Sequence, residues 1–110
     1  MINILELTNA EELENIVKSH ENVLLDFYTT TCNPCKMQSQ IFDELYENQT
    51  CIDNLLIIKI NAEDGRFSKR ARDVGVSSVP HLIGFKHNEI FYNKSGLIMK
   101  QDIIEKFKKK

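Results

Sequence analysis

Two short runs, Val23-Leu24-Leu25-Asp26-Phe27-Tyr28 and Leu55-Leu56-Ile57-Ile58-Lys59-Ile60, are apolar at nearly every position. Each is too short for a stable helix. A strand that is apolar on both faces must be covered on both faces, so these runs belong inside a sheet flanked by helices. The rest of the chain supplies the covers. Ile2, Ile4, Leu5 and Leu7 form an apolar segment, and Thr8-Asn9-Ala10-Glu11 after it matches a capping box, which predicts a strand and then a helix. Leu13, Ile16 and Val17 give that helix a buried stripe, and it should stop near His20-Glu21-Asn22. Pro34 suits the first turn of a second helix, whose apolar stripe Met37, Ile41 and Leu45 runs to about Asn48. Arg66 to Asp73 reads as a short polar helix closed by Gly75. Leu82 to Lys86 and Glu89 to Asn93 flank His87-Asn88 as a hairpin, and Lys100 to Lys108 reads as a terminal helix. The order of elements predicts an α/β fold, a mixed sheet with helices on both faces, in a single domain spanning 1–110.

Composition removes several function classes. The formal net charge is -2 and the only basic excess is Lys106, Lys108, Lys109 and Lys110, which reads as a helix C-terminus complementing the helix dipole, so no nucleic-acid partner is expected. No apolar run reaches the roughly 20 residues that span a bilayer, and the N-terminus lacks a basic region followed by an apolar one. No membrane association and a cytoplasmic location are the expectations. Three cysteines do not make the disulfide framework of a secreted domain: Cys32 and Cys35 lie together and Cys51 stands apart. A close pair in a reducing compartment points to catalysis or to a metal.

Cys32-Asn33-Pro34-Cys35 puts two thiols one helical turn apart, with Cys32 at the helix start. Unpaired N–H groups and the positive dipole end favour a thiolate there, so Cys32 is expected to be the nucleophile. Cys35, inside the first turn, is expected to break the mixed disulfide that Cys32 forms, and for that it must lose its proton. Asp26 is the odd acid of a buried strand. Desolvation would raise its proton affinity enough to accept that proton near neutral pH; pairing or hydrogen bonding for fold specificity alone is the other reading. Lys59 on the next strand either modulates Asp26 or runs its stem out to solvent.

Asp26-Phe27-Tyr28, Cys32-Asn33-Pro34-Cys35-Lys36-Met37, Val79-Pro80 and Gly96, in this order and separation, resemble the thioredoxin family over nearly the whole chain. The resemblance implies a thioredoxin fold, with a central mixed sheet of about five strands flanked by four helices. It implies a thiol–disulfide oxidoreductase that reduces protein disulfides through a Cys32–Cys35 dithiol/disulfide cycle. It implies no bound cofactor beyond that redox-active disulfide and a thioredoxin-reductase-like electron donor, and a monomer is expected. It further implies a cis Pro80 lying against the disulfide, backbone groups of Val79 offered to substrate, and a substrate groove formed by Thr31, Asn33, Pro34, Val79, Pro80 and Gly96.

The chain also departs from the family pattern. Thr31 stands where Trp is usual, and there is no Trp anywhere; Asn33 replaces glycine. Gln40 replaces a helix-kinking proline, so the second helix should be straighter. His81 replaces threonine after Pro80, and strand alternation points it away from the Pro80 face, toward a structural role. Residues 64–74 match only in helical character.

Other readings remain open from sequence. A zinc site would need Cys32, Cys35, Cys51 and a histidine, but Cys51 has no nearby partner and the spacing is poor, so no metal ligand set is expected. Cys51 itself reads as an incidental loop thiol, or alternatively as a secondary redox site. A binding module that holds a partner protein in the same groove, with redox turnover secondary, is the rival of a different class. Use of glutathione lacks a recognisable binding pattern.

Overall fold

The computed structural model describes residues 1–48 and 52–108. Cys51, Lys109 and Lys110 lie outside the described residues, and with them the readings placed on them. In chain order the elements are β1 (Ile2–Glu6), α1 (Leu13–Ser19), β2 (Asn22–Tyr28), α2 (Asn33–Asn48), β3 (Leu55–Asn61), α3 (Ser68–Asp73), β4 (His81–Lys86), β5 (Glu89–Ser95) and α4 (Lys100–Phe107). The five strands form one mixed sheet in the order β1-β3-β2-β4-β5. β1, β3 and β2 are parallel, and β4 and β5 close the sheet antiparallel. The two apolar runs become β2 and β3, adjacent parallel strands in the interior of the sheet.

Because successive side chains of a strand point to opposite faces, β2 and β3 feed two cores. Leu24, Ile57 and Leu82 pack with Phe42 and Leu45 of α2 and Ile103 and Phe107 of α4. Val23, Leu25, Phe27, Ile58 and Ile60 pack on the other face with Leu13 and Val17 of α1 and with Phe67. The same alternation puts Asp26 on the face that α2 covers.

Several local expectations are corrected. Asn9, not Thr8, is the N-terminal cap: its side chain accepts from the Glu11 N–H at 3.0 Å and starts a 3-10 turn over Ala10–Glu12 that leads into α1. Ile16 is only half-buried, so Leu13 and Val17 carry the α1 stripe. The buried face of α2 is Cys35, Gln38, Phe42 and Leu45, while Met37 is 52% exposed and Ile41 half-buried. The helix is rotated from the stripe through Met37 because burying Cys35 fixes which face turns inward. The segment before Asp73 is not wholly polar: a 3-10 turn over Gly65–Phe67 carries Phe67 into the core ahead of α3. α4 ends at Phe107, and Lys108 bridges to Ile52 instead of extending the helix. In place of a glycine, the hairpin turn uses His87 and Asn88 at φ 50° and 67°. α2 runs unbroken over its 16 residues, without the proline that Gln40 replaces.

Candidate active site

Central strand β2 delivers the chain to one end of the sheet, and α2 begins five residues later, at Asn33. Cys32 sits at the junction as the cap of α2. Its carbonyl accepts the Lys36 N–H at 3.2 Å, and its Sγ accepts the Cys35 N–H at 3.1 Å. A sulfur in the place of a capping oxygen receives an otherwise unpaired N–H and faces the positive end of a four-turn helix dipole, which stabilises negative charge on it. Cys32 and Cys35 are joined as a disulfide, with Cα atoms 5.2 Å apart. Cys32 is half-buried and Cys35 is buried, so attack from outside reaches the Cys32 sulfur first.

The Val79–Pro80 peptide bond is cis, the isomer the resemblance implied. The Val79 carbonyl oxygen lies 3.8 Å from Cys32 Sγ, and in the dithiol form it would offer that thiol an acceptor. Pro80 is buried, and its carbonyl accepts the Gly96 N–H at 2.8 Å. Gly96 has φ 100°, a conformation that a side chain would strain, and it is exposed. Thr31, Asn33 and Pro34 are exposed around the start of α2. The fold therefore links Val79, Pro80 and Gly96 to the disulfide from one side, with Thr31, Asn33 and Pro34 at the helix start.

Asp26 is fully buried, and neither of its carboxylate oxygens has a hydrogen-bond partner among the described residues. Burial pushes its pKa up to about 7; the Lys59 ammonium opposes the rise and the Glu6 carboxylate adds to it. The strand register explains both influences: Lys59 pairs with Asp26 on one side and with Glu6 on the other. Lys59 does not simply reach solvent. It is half-buried, donates to Ser39 Oγ of α2 and lies 5.1 Å from the centre of the Tyr28 ring. Glu6 in turn accepts the Tyr28 hydroxyl at 2.8 Å. Cys35, Ser39, Lys59 and Tyr28 share the wall of a small open cleft of about 190 Å³. Cys35 and Lys59 thus meet along a cleft open to solvent, and the buried Asp26, register partner of Lys59, lies on the same face of the sheet.

Three side chains that no sequence pattern singled out hold these surroundings in place. Ser39 receives Lys59, as above. Glu63 accepts both the backbone N–H and the hydroxyl of Thr30, at 3.0 and 3.1 Å, and so fixes the loop before Cys32. Gln38 is fully buried on α2 and bonds the backbone of Ile98. Only the first and last fall on α2, at i+4 and i+3 from Cys35, and that periodicity was the available signal. His81 is buried and directed to Asn93 Oδ1 across the β4–β5 hairpin, away from the disulfide. Among the described residues no group of three His, Cys, Asp or Glu could hold a metal ion, and no helix is long and apolar enough to cross a membrane.

The thioredoxin family model matches residues 3–109. Thioredoxin of Buchnera aphidicola from Acyrthosiphon pisum is 29% identical over 105 residues, covering 96% of this chain and 94% of its own. Among solved structures, a mutant thioredoxin from Halobacterium salinarum superposes with a TM-score of 0.80 at 28% identity, over 98% of this chain and 93% of that one. Reduced thioredoxin of Schistosoma mansoni gives 0.78 at 28% identity, over 96% and 98%. The five-stranded mixed sheet, the disulfide between Cys32 and Cys35 and these matches along nearly the whole length agree. The chain belongs to the thioredoxin family and is a thiol–disulfide oxidoreductase that reduces protein disulfides.

Proposed function

We propose that Cys32 is the attacking thiolate, Cys35 the resolving thiol and Asp26 the group that takes the Cys35 proton. Cys32 Sγ attacks one sulfur of a substrate disulfide, forming a mixed disulfide and releasing the other sulfur as a thiolate. Cys35, its proton passed to Asp26, then attacks Cys32 Sγ; the substrate leaves as a dithiol and Cys32–Cys35 becomes the disulfide. Two electrons move from the cysteine pair to the substrate. The observation that carries this assignment is the cap geometry, in which the half-buried Cys32 sulfur accepts the Cys35 N–H while Cys35 itself is buried. The raised proton affinity of Asp26, on the face of the sheet that α2 covers, supports its part, and Lys59 modulates it by opposing that rise.

Thr31, Asn33, Pro34, Val79, Pro80 and Gly96 form the groove in which a substrate segment lies, supported by the approach of the Val79 carbonyl to Cys32 and by the Gly96–Pro80 bond. The unit is one domain and acts as a monomer. A two-electron flavoprotein donor of the thioredoxin-reductase type regenerates the dithiol, in the cytoplasm or another reducing compartment, because a reductant is of use only where it is kept reduced. No bound cofactor or metal takes part, and cell redox homeostasis and electron transfer to disulfide proteins are the resulting roles.

Cys35→Ser tests the order of attack. It should accumulate a covalent complex with a disulfide protein that dithiothreitol releases, and Cys32→Ser should form none. A complex that survives Cys32→Ser would point instead to a module that holds its partner without exchange.

A further inference from the structure

Gln38 lies on α2 three residues after Cys35 and is fully buried. A primary amide in an apolar core is tolerated only when its donor and acceptor ends are both bonded. Here Nε2 donates to the Ile98 carbonyl at 3.0 Å and Oε1 accepts the Ile98 N–H at 2.8 Å, both within the interior. The side chain thus stands in for a neighbouring strand. Ile98 belongs to the stretch without regular structure that joins β5 to α4, two residues after Gly96.

These bonds close a ring around the disulfide. From Gln38 the path runs to Ile98 and back along the chain to Gly96, whose N–H bonds the Pro80 carbonyl. Val79, before Pro80, brings its carbonyl to 3.8 Å from Cys32 Sγ, and the disulfide returns the path to Cys35, one helical turn from Gln38. Gln38 is the link that ties the helix that Cys32 caps and Cys35 sits on to the segment bearing Gly96. An apolar side chain of similar length would fill the space yet leave both backbone groups of Ile98 buried and unbonded, and the segment would shift to reach water.

We propose that Gln38 is a positioning residue that fixes the spacing between the start of α2 and the Gly96 segment, and so sets the preference of this protein for polypeptide disulfides over small ones. The proposal rests on the reading of that groove as the polypeptide site. A small disulfide needs access only to the Cys32 sulfur, whereas a polypeptide needs both walls at the right separation.

Single turnovers of the pre-reduced protein provide the test. In Gln38→Met, the second-order rate constant toward insulin should fall about tenfold, through half-saturation rather than the saturating rate, while the rate with dithiobis(nitrobenzoate) and the equilibrium constant with glutathione stay within about twofold. Gln38→Glu keeps the acceptor for the Ile98 N–H and loses the donor only when its carboxyl is ionised. While its buried carboxyl is protonated it also donates to the Ile98 carbonyl, so the preference should be kept at the lower pH values and the same split should appear as pH rises and the carboxyl ionises; this variant carries the test if Gln38→Met does not fold. Parallel losses on both substrates, or no loss with insulin, would overturn the proposal. An unsubstituted protein whose reaction with insulin shows no half-saturation would overturn the groove reading, and the proposal with it.

Discussion

At the scale of single residues, Asp26 makes a chemical demand that the fold meets at a cost in stability. Its pKa rises from 3.8 to about 7 on folding, chiefly by desolvation. Between those values the folded protein holds a proton that the unfolded chain has released, so the unfolded state binds fewer protons and stability falls as pH rises through this window. Above about pH 7 the loss is complete, on the order of 4 kcal/mol for a shift of this size. Urea unfolding of the oxidised protein at a series of pH values should therefore give a midpoint that drops between about pH 4 and 7, and a much flatter profile for Asp26→Asn. Identical profiles would mean that Asp26 is ionised in the folded state. With Asp26 as the proposed acceptor of the Cys35 proton, the same substitution should slow release of the mixed disulfide more than its formation. Stopped-flow measurement of the two steps separates these effects, and equal slowing of both would remove Asp26 from proton transfer.

At the scale of elements, α2 carries Cys35 and is capped by Cys32, and its rotation about its own axis decides which residues matter. Cys35, Gln38, Phe42 and Leu45 turn inward, at spacings of three, four and three. Met37 is 52% exposed although it follows the site directly, whereas Phe42 is completely enclosed against the sheet. Phe42→Ala should accordingly cost about 3–5 kcal/mol by loss of transfer free energy and creation of a cavity, and Met37→Ala less than about 1. Chemical denaturation of both variants checks the rotation, and comparable losses would mean that α2 packs through the Met37 stripe. The stripe at Met37, Ile41 and Leu45 has helical spacing too. Periodicity identifies a helix but cannot choose between adjacent faces when a cysteine and a glutamine are among the buried positions.

At the scale of the whole molecule, the two cores lie on opposite faces of one sheet, and both draw on β2 and β3. Leu24 serves one core and Leu25 the other, so neither can melt without stripping the strands that the other needs. Thermal unfolding should be a single transition with equal calorimetric and van't Hoff enthalpies; two resolved transitions would mean that the helical layers unfold separately and would count against a one-domain unit. Much of this architecture was legible along the chain, since unbroken apolar runs demand two covered faces and strands alternating with helices supply the cover. Cys32, Cys35 and Asp26 were legible as well, two by their spacing and one as an acid where burial forbids an unpaired charge. The chain could not indicate that Gln38 meets Ile98, that Glu63 fixes Thr30, or that Phe67 reaches the core, because each depends on a partner or a surface brought close only when the strands align. By itself the sequence determined the class of fold, the thiol pair and the buried acid, because those follow from hydrophobic periods and short-range spacing. Which face of α2 turns inward, which backbone groups receive its buried amide and which charges face Asp26 were decided only by tertiary structure, since register and rotation are properties of the packed sheet and helices together.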